Sequence, residues 1–360
     1  MKPNKNTLAR LFAVVTIIAL TVALFAACSN NSGTAATNAP TSAPAGGDST
    51  QAPATNAELI TIHSSSRLEC TSTPFVLAEK LGFFAEEGLK IEYTGEIPAG
   101  SNDLSTVLNG TNDVLTTHPN TFATWVNEGA AVKTVALDIV DPPKDADPAL
   151  RHMRLYATNA QINSLADLAN YKQGQKIKVN GTVPSCSSFI LNSIFENAGI
   201  SSDRLEWVLA DSTAAALQAL EQGDLDVVFI HPPFYYIAEQ NGYKLIADSF
   251  DAGLGAAAGT YFIVFSEDYI AKYPDNVQHF INAFKKAHVY ANEHPEEAAA
   301  LTQEHIQQEV RATHYYYTDD GIPRSYVQPW IDDLVSAGAL DEGSITVDDL
   351  VTFQFEKELP

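Results

Sequence analysis

Cysteine is scarce: the 360 residues hold three, at positions 28, 70 and 186. Three isolated thiols build neither a disulfide scaffold nor a cysteine cluster. Positive charge is also short, with 21 Lys and Arg against 44 Asp and Glu and a formal net charge of −23. That balance argues against a nucleic-acid binder and against electrostatic docking on an anionic membrane face. It does not fix a small ligand, because the field inside a cleft can oppose the global charge. Apolar runs long enough to cross a bilayer are missing beyond the amino terminus. No H-E-x-x-H, phosphate loop or Ser/His/Asp order is present, so the common hydrolase and nucleotide-binding signatures give no purchase. No cofactor is expected.

The first 27 residues read as a targeting segment. Lys2, Lys5 and Arg10 precede an apolar run from Leu11 to Phe25, which ends in small residues. Leu24-Phe25-Ala26-Ala27-Cys28 resembles a bacterial lipobox, with Phe25 where Leu is usual. The resemblance implies lipid on Cys28 and a protein held extracytoplasmically at the bacterial cell membrane by that anchor alone. An ordinary secretory signal is the alternative. Residues 28–57 follow as a Ser, Thr, Ala, Pro, Asn and Gly-rich stretch, too poor in apolar surface to offset its ordering entropy, and read as a tether. Removing the three early cations takes the charge from −23 to −26.

About 300 residues remain, enough for two lobes. Short apolar strands alternate with helical patterns, which predicts an α/β fold with parallel sheets. The first unit has strands at Leu59–Ser64, Leu89–Tyr93, Asp113–Thr117 and Val132–Ile139. A second begins at Lys176–Asn180, continues through a helix over Ser185–Ala198, and carries strands at Leu205–Leu209, Leu225–Ile230 and Lys244–Ala247. Arg154–Thr158 and Tyr261–Phe265 are expected to cross between the lobes as a two-strand hinge. The expected division is lobe 1 over 59–157 and 261–360, with lobe 2 inserted as 158–260.

An internal repeat supports two equivalent units. Gly110-Thr-Asn-Asp113-Val114 leads to His118-Pro119, and Gly223-Asp-Leu-Asp226-Val227 leads to His231-Pro232 at the same spacing. The pattern is a helix-ending Gly, an Asp-Val strand start and a His-Pro strand end. Open parallel sheets bind ligands beyond the carboxyl ends of their strands, so two such edges facing each other would form a cleft.

These motifs carry a family resemblance. The run from Pro74 through Gly82-Phe83-Phe84-Ala85-Glu86-Glu87-Gly88-Leu89 is similar to a signature of nitrate, sulfonate and taurine (NitT/TauT-type) binding proteins, a family that also covers thiamine-pyrimidine-precursor receptors. Leu108–Asp113, Ser164–Val179 and Leu220–Asp226 with Pro232 resemble further motifs of that family. The resemblance spans nearly everything from residue 59 onward. It implies a type II periplasmic-binding-protein fold and a monomeric solute receptor of an ABC importer, partnered by a permease and an ATPase. His231 stands where many relatives have Glu, which alters the pocket floor.

The cleft should be lined by the segments His63–Ser72, Thr116–Asn120, Thr182–Ser188, Asp211–Thr213 and His231–Phe234. The candidate ligand-binding residues are Ser65, Ser66, Arg67, Ser72, Thr73, Thr117, His118, Asn120, Ser185, Cys186, Ser187, Asp211, Ser212, His231 and Phe234. Hydroxyls and free N–H groups at helix starts suit an anion, although Ser and Thr cap helices whether or not anything binds. Arg67 is the one fixed cation of these loops and suits a carboxylate or sulfonate, with surface pairing to Glu69 as the alternative. Phe234 could stack on a heteroaromatic ligand. Cys70, Cys186, His118 and His231 could together hold a metal ion, or serve as ordinary polar and core residues. Tyr315, Tyr316 and Tyr317 have no assigned role. Two further functions stay open: an enzyme like the fungal pyrimidine synthase of this fold, and a solute sensor for a membrane receptor.

Overall fold

The structure is a computed structural model that describes residues 58–97 and 103–360. The expected signal segment, Cys28 and the expected tether lie outside the described residues.

The first half begins with strand β1 (Ile60–Arg67), helices α1 (Thr73–Lys80) and α2 (Phe83–Glu86), and β2 (Leu89–Ile97). It continues through α3 (Leu104–Leu108), β3 (Val114–Thr117), α4 (Pro119–Asn127), β4 (Val132–Leu137) and the short β5 (Ile139–Val140). The second half comprises β6 (Arg154–Ala157), α5 (Leu165–Asn170), β7 (Ile177–Asn180), α6 (Cys186–Asn197), β8 (Leu205–Val208), α7 (Thr213–Gln222), β9 (Val228–Ile230), α8 (Tyr235–Gln240) and β10 (Lys244–Asp248). The chain then returns through β11 (Phe262–Ser266), α9 (Glu267–Lys272), α10 (Pro274–Glu293), α11 (Pro295–Ile306), β12 (Tyr315–Tyr316) and α12 (Arg324–Ser336).

The two halves share one plan. β1 and β2 pair in parallel, and β1 meets β3 where the Asp113 N–H donates to the His63 carbonyl at 2.9 Å. β11 then runs antiparallel between β3 and β4. In the second half β7 and β8 are parallel, Val179 bridges Val227 in parallel, and β6 runs antiparallel between β9 and β10. The sheets are therefore mixed rather than all parallel. A strand arriving from the opposite half enters its sheet from the other end, which reverses its direction.

The repeat explains the common plan. Gly110 and Gly223 hold φ of +76° and +78°, the left-handed conformation that ends a helix sharply and suits a residue without Cβ. Three residues on, the Asp113 carboxylate accepts the His63 backbone N–H at 2.7 Å, and Asp226 accepts that of Lys178 at 2.9 Å. Each aspartate thus fixes the start of one strand to its neighbour. Lys172 at 2.7 Å and Tyr171 at 3.2 Å also donate to Asp226.

The expected two-strand hinge is displaced. β6 and β11 do not pair with each other; each is the inner antiparallel strand of its own sheet, with every residue of β6 buried and β11 buried but for Ser266. The paired segments lie ahead of them in the chain, at 138–141 and 256–261. Asp138 N–H donates to Tyr261 O at 2.8 Å, Tyr261 N–H to Ile139 O at 3.0 Å, and Asp141 N–H to Ala256 O at 3.0 Å. Approach is closest at Gly259, where a Cβ would lie 2.3 Å from the Asp141 nitrogen and 2.5 Å from the Val140 carbonyl carbon.

Separate apolar clusters fill the two halves, yet the described residues form one compact unit. Trp330 of α12 joins them: it comes from the returning chain but is buried with Phe189, Ile194 and Leu155 of the second half. Its indole N–H donates to Ala257 O at 2.9 Å.

Candidate functional site

The two His-Pro strand ends meet. His118 follows β3 and precedes Pro119 at the first position of α4, where the missing N–H costs nothing. His231 follows β9 in the equivalent place. Their ring centroids lie 6.4 Å apart. Two further histidines complete the group. His152, just before β6, lies 5.0 Å from both His118 and His231, and His314, just before β12, lies 5.1 Å from His152.

The surroundings fix these rings unequally. His118 Nδ1 sits 3.0 Å from the Thr260 carbonyl, and its ring stacks on Trp330 at 5.3 Å and meets the edge of Tyr261 at 4.5 Å. A hydrogen on Nδ1 is the arrangement the carbonyl can accept, leaving Nε2 as a lone pair. His152 is anchored through its backbone N–H, which donates to Asp141 Oδ1 at 3.0 Å. Its side chain is buried, and neither ring nitrogen has a partner; His314 Nδ1 likewise has none. Cys186 opens α6, whose start is closed by a reciprocal Ser185–Ser188 box, and its sulfur lies 3.9 Å from His231 Nε2.

Burial decides the protonation states. It lowers His118 to about 3, with His231 and Arg67 adding repulsion, and it lowers His231 to about 4. Burial and the neighbouring histidines push His152 and His314 well below the ordinary range. At neutral pH the group is four uncharged imidazoles. Burial raises the Cys186 thiol to about 11, and raises Cys70 further still, so both stay protonated.

Arg67 is neither on a loop nor on the surface. β1 extends past the expected end at Ser64 because Ser66 and Arg67 pair with Glu96 and Ile97 beyond a bulge. Ser65, Ser66 and Arg67 are consequently buried strand residues. The guanidinium donates from Nη2 to Asp103 Oδ1 at 2.8 Å and Thr116 O at 3.3 Å, and from Nη1 to Glu69 Oε1 at 3.4 Å. Two carboxylates already match its charge.

The remaining candidates divide. Thr117, Asn120 and Phe234 sit at the His-Pro corners, with Asn120 buried and turned back onto the Thr121 N–H at 2.9 Å. Ser187 lies beside Cys186, 4.0 Å from its sulfur. Ser212 caps α7 by accepting the Ala215 N–H at 3.1 Å, and it is exposed together with Asp211. The Ser72 hydroxyl donates to Glu69 O at 2.7 Å, while the Thr73 hydroxyl is sealed between Cys70 O and the Thr302 hydroxyl, 2.8 Å from each. Thr73 therefore presents nothing to a ligand. Cys70 is corrected as a metal candidate: it is wholly buried with Ala299, Ile306 and Val310, with its sulfur facing Ala312 O. His63 is held elsewhere, 3.0 Å from Asp113.

Sequence reasoning missed His152, His314, Tyr261 and Trp330. All four clustered histidines flank strands, but differently: His118 and His231 follow β3 and β9, whereas His152 and His314 precede β6 and β12. The tyrosine run is also placed. Tyr315 and Tyr316 form β12 against β5, and Tyr315, Tyr316 and Tyr317 line a cavity of ≈ 370 Å³ with Phe250, Lys144 and Tyr326.

Residues 69–298 match the profile described as NMT1/THI5 like, and the chain belongs to that family. Comparison with curated protein sequences returns no match. Among solved structures, the periplasmic aliphatic sulphonate binding protein SsuA of Escherichia coli is similar at 20% identity over 84% of this chain and 94% of its own, with a TM-score of 0.64. The periplasmic nitrate-binding protein NrtA of Synechocystis PCC 6803 is similar at 12% identity over 83% and 87%, TM-score 0.62. The desulfurization enzyme DSZB shares the fold at 13% identity over 82% and 97%, TM-score 0.53. The chain thus has the periplasmic-binding-protein fold on which both receptors and an enzyme are built.

Proposed function

We propose that this protein is the extracytoplasmic solute-binding component of an ABC importer, held at the membrane by lipid on Cys28, and that it captures a small solute between its two halves by hinge closure. One observation carries the reading. Equivalent strand ends from the two halves bring His118 and His231 within 6.4 Å, in the place where open α/β sheets take ligands. A solute touching both corners stabilises the approached arrangement by its differential affinity, and a permease with its ATPase reads that shape. The sulphonate- and nitrate-binding proteins of this fold supply the precedent for transport. The site differs in charge from what an anion would want, since Arg67 is matched by Asp103 and Glu69 and the histidines are neutral.

The synthase-like alternative needs a reactive group, and the protonated Cys70 and Cys186 thiols do not favour one. Native mass spectrometry of protein purified without refolding tests the main reading. A small-molecule adduct released on denaturation, with a fall in radius of gyration on rebinding, is expected. Turnover of the released compound by the protein would replace transport with catalysis. For the anchor, Cys28→Ser should release the protein to the medium or leave it unprocessed, and unchanged membrane retention with normal processing would refute it.

A further inference from the structure

Buried imidazoles without partners are unusual, because a polar group removed from water ordinarily finds a hydrogen bond. Here both nitrogens of His152 and Nδ1 of His314 lack one; His152 lies beside His118 and His231, and the Cys186 sulfur is 3.9 Å from His231 Nε2. We propose that His118, His152, His231 and His314, with Cys186 beside them, bind a late first-row transition-metal ion of the zinc, nickel or copper class, as the bare ion or within a small chelate. The inference rests on the solute-site reading for its location and adds the chemical class of what is captured.

The donor chemistry selects this class. Neutral imidazole with a thiol suits zinc, nickel and copper, whereas magnesium and calcium want carboxylate and carbonyl oxygens. Two imidazoles sharing one tetrahedral ion at ordinary metal–nitrogen distances have ring centres about 5 Å apart. His152 lies at 5.0, 5.0 and 5.1 Å from His118, His231 and His314, and His118 and His231 are 6.4 Å apart. His118 already has the second contact expected of a ligating histidine, with Nδ1 directed at a backbone carbonyl and Nε2 left as the donor. Among the described residues no three His, Cys, Asp or Glu side chains converge at coordination distance. Binding therefore draws the rings inward by rotation about their side-chain bonds, most easily at His152, which no side-chain hydrogen bond restrains.

The two halves contribute one ring each at His118 and His231, while His152 precedes β6 and His314 precedes β12. An ion held by all of them would tie the halves together with directional bonds.

The test is equilibrium dialysis of chelator-stripped full-length protein against Zn²⁺, Ni²⁺, Cu²⁺ and Mg²⁺ in turn, and against the nickel–histidine and nickel–citrate chelates. One transition metal per chain and no Mg²⁺ are expected. His152→Gln and His231→Gln should each weaken binding by about 10–100-fold with the thermal midpoint retained. Tighter uptake of a chelate than of Ni²⁺ alone assigns the chelate form, and the reverse assigns the ion. Because exposed histidines such as His279 bind metals adventitiously, the His152→Gln/His231→Gln double variant decides the location. Binding that survives in it, or no transition-metal uptake at 100-fold excess over the protein, overturns the proposal. If His152→Gln fails to fold, Cys186→Ser with His231→Gln serves the same comparison. A metal-free native protein carrying an organic adduct would sink the metal while leaving the solute-receptor reading intact.

Discussion

Arg67 shows what burial does to a charged side chain. Its pKa rises although desolvation opposes this, because Tyr261, Asp103 and Glu69 outweigh the loss of water. Asp103 is itself 3% exposed, so removing the guanidinium strands a carboxylate in a dry site. Arg67→Ala should lower unfolding free energy by about 3–5 kcal/mol in urea titrations. Arg67→Lys should restore part of that, since one ammonium cannot reach Asp103, Glu69 and the Thr116 carbonyl together. A loss under about 1 kcal/mol for the alanine variant would mean that these pairs do not stabilise the strand. The neighbour Glu69 was readable from the sequence as a partner. Asp103, thirty-six positions away, was not, because only the fold brings β1 beside the start of α3.

Helices and strands test how local patterns fix geometry. Asp226 accepts from Lys178 N, Lys172 and Tyr171, whereas Asp113 accepts from His63 through its backbone and ring. Asp226→Ala should therefore cost about 2–4 kcal/mol and more than Asp113→Ala, as read by chemical denaturation. The reverse order would contradict the view that these aspartates fix strand starts in proportion to their bonds. At the α2–α10 junction, partial burial would raise the pKa of Glu87, but Lys286, His279 and Asn282 together lower it. A lowered carboxylate pKa contributes stability that is full above the unfolded value of 4.5 and fades as pH falls through the folded one. Glu87→Gln should accordingly destabilise at pH 7 and approach wild type near pH 3, and an equal difference at both would remove the ion pair as its cause. The repeat was legible at this scale because Gly, Asp and Pro each have a local steric or hydrogen-bonding reason to stand where they do. The extension of β1 through Ser64-Ser65-Ser66-Arg67 was not, since a polar run carries no strand periodicity until β2 lies beside it. α12 carries Pro329 within it, a residue that ordinarily argues against a helix interior. His152 and His314 were illegible as site residues because their meeting depends on how the returning chain crosses the seam.

For the molecule as a whole, the controlling feature is the contact between its two connections. Backbone hydrogen bonds join 138–141 to 256–261, and Gly259 lies against the 140–141 peptide with no room for even one extra carbon. Gly259→Ala must push the two segments apart, at a cost of about 1–3 kcal/mol of overpacking. Under the closure mechanism proposed above, the methyl should also widen the angle between the halves. A larger radius of gyration in solution scattering and weaker solute binding are expected, and an unchanged scattering profile with full affinity would show that the connections yield locally. The hydrogen on Gly259 thus works as the thinnest possible shim. Under the proposed closure, progressively larger residues at that one position would set the opening between the halves in steps, without altering any of the clustered histidines.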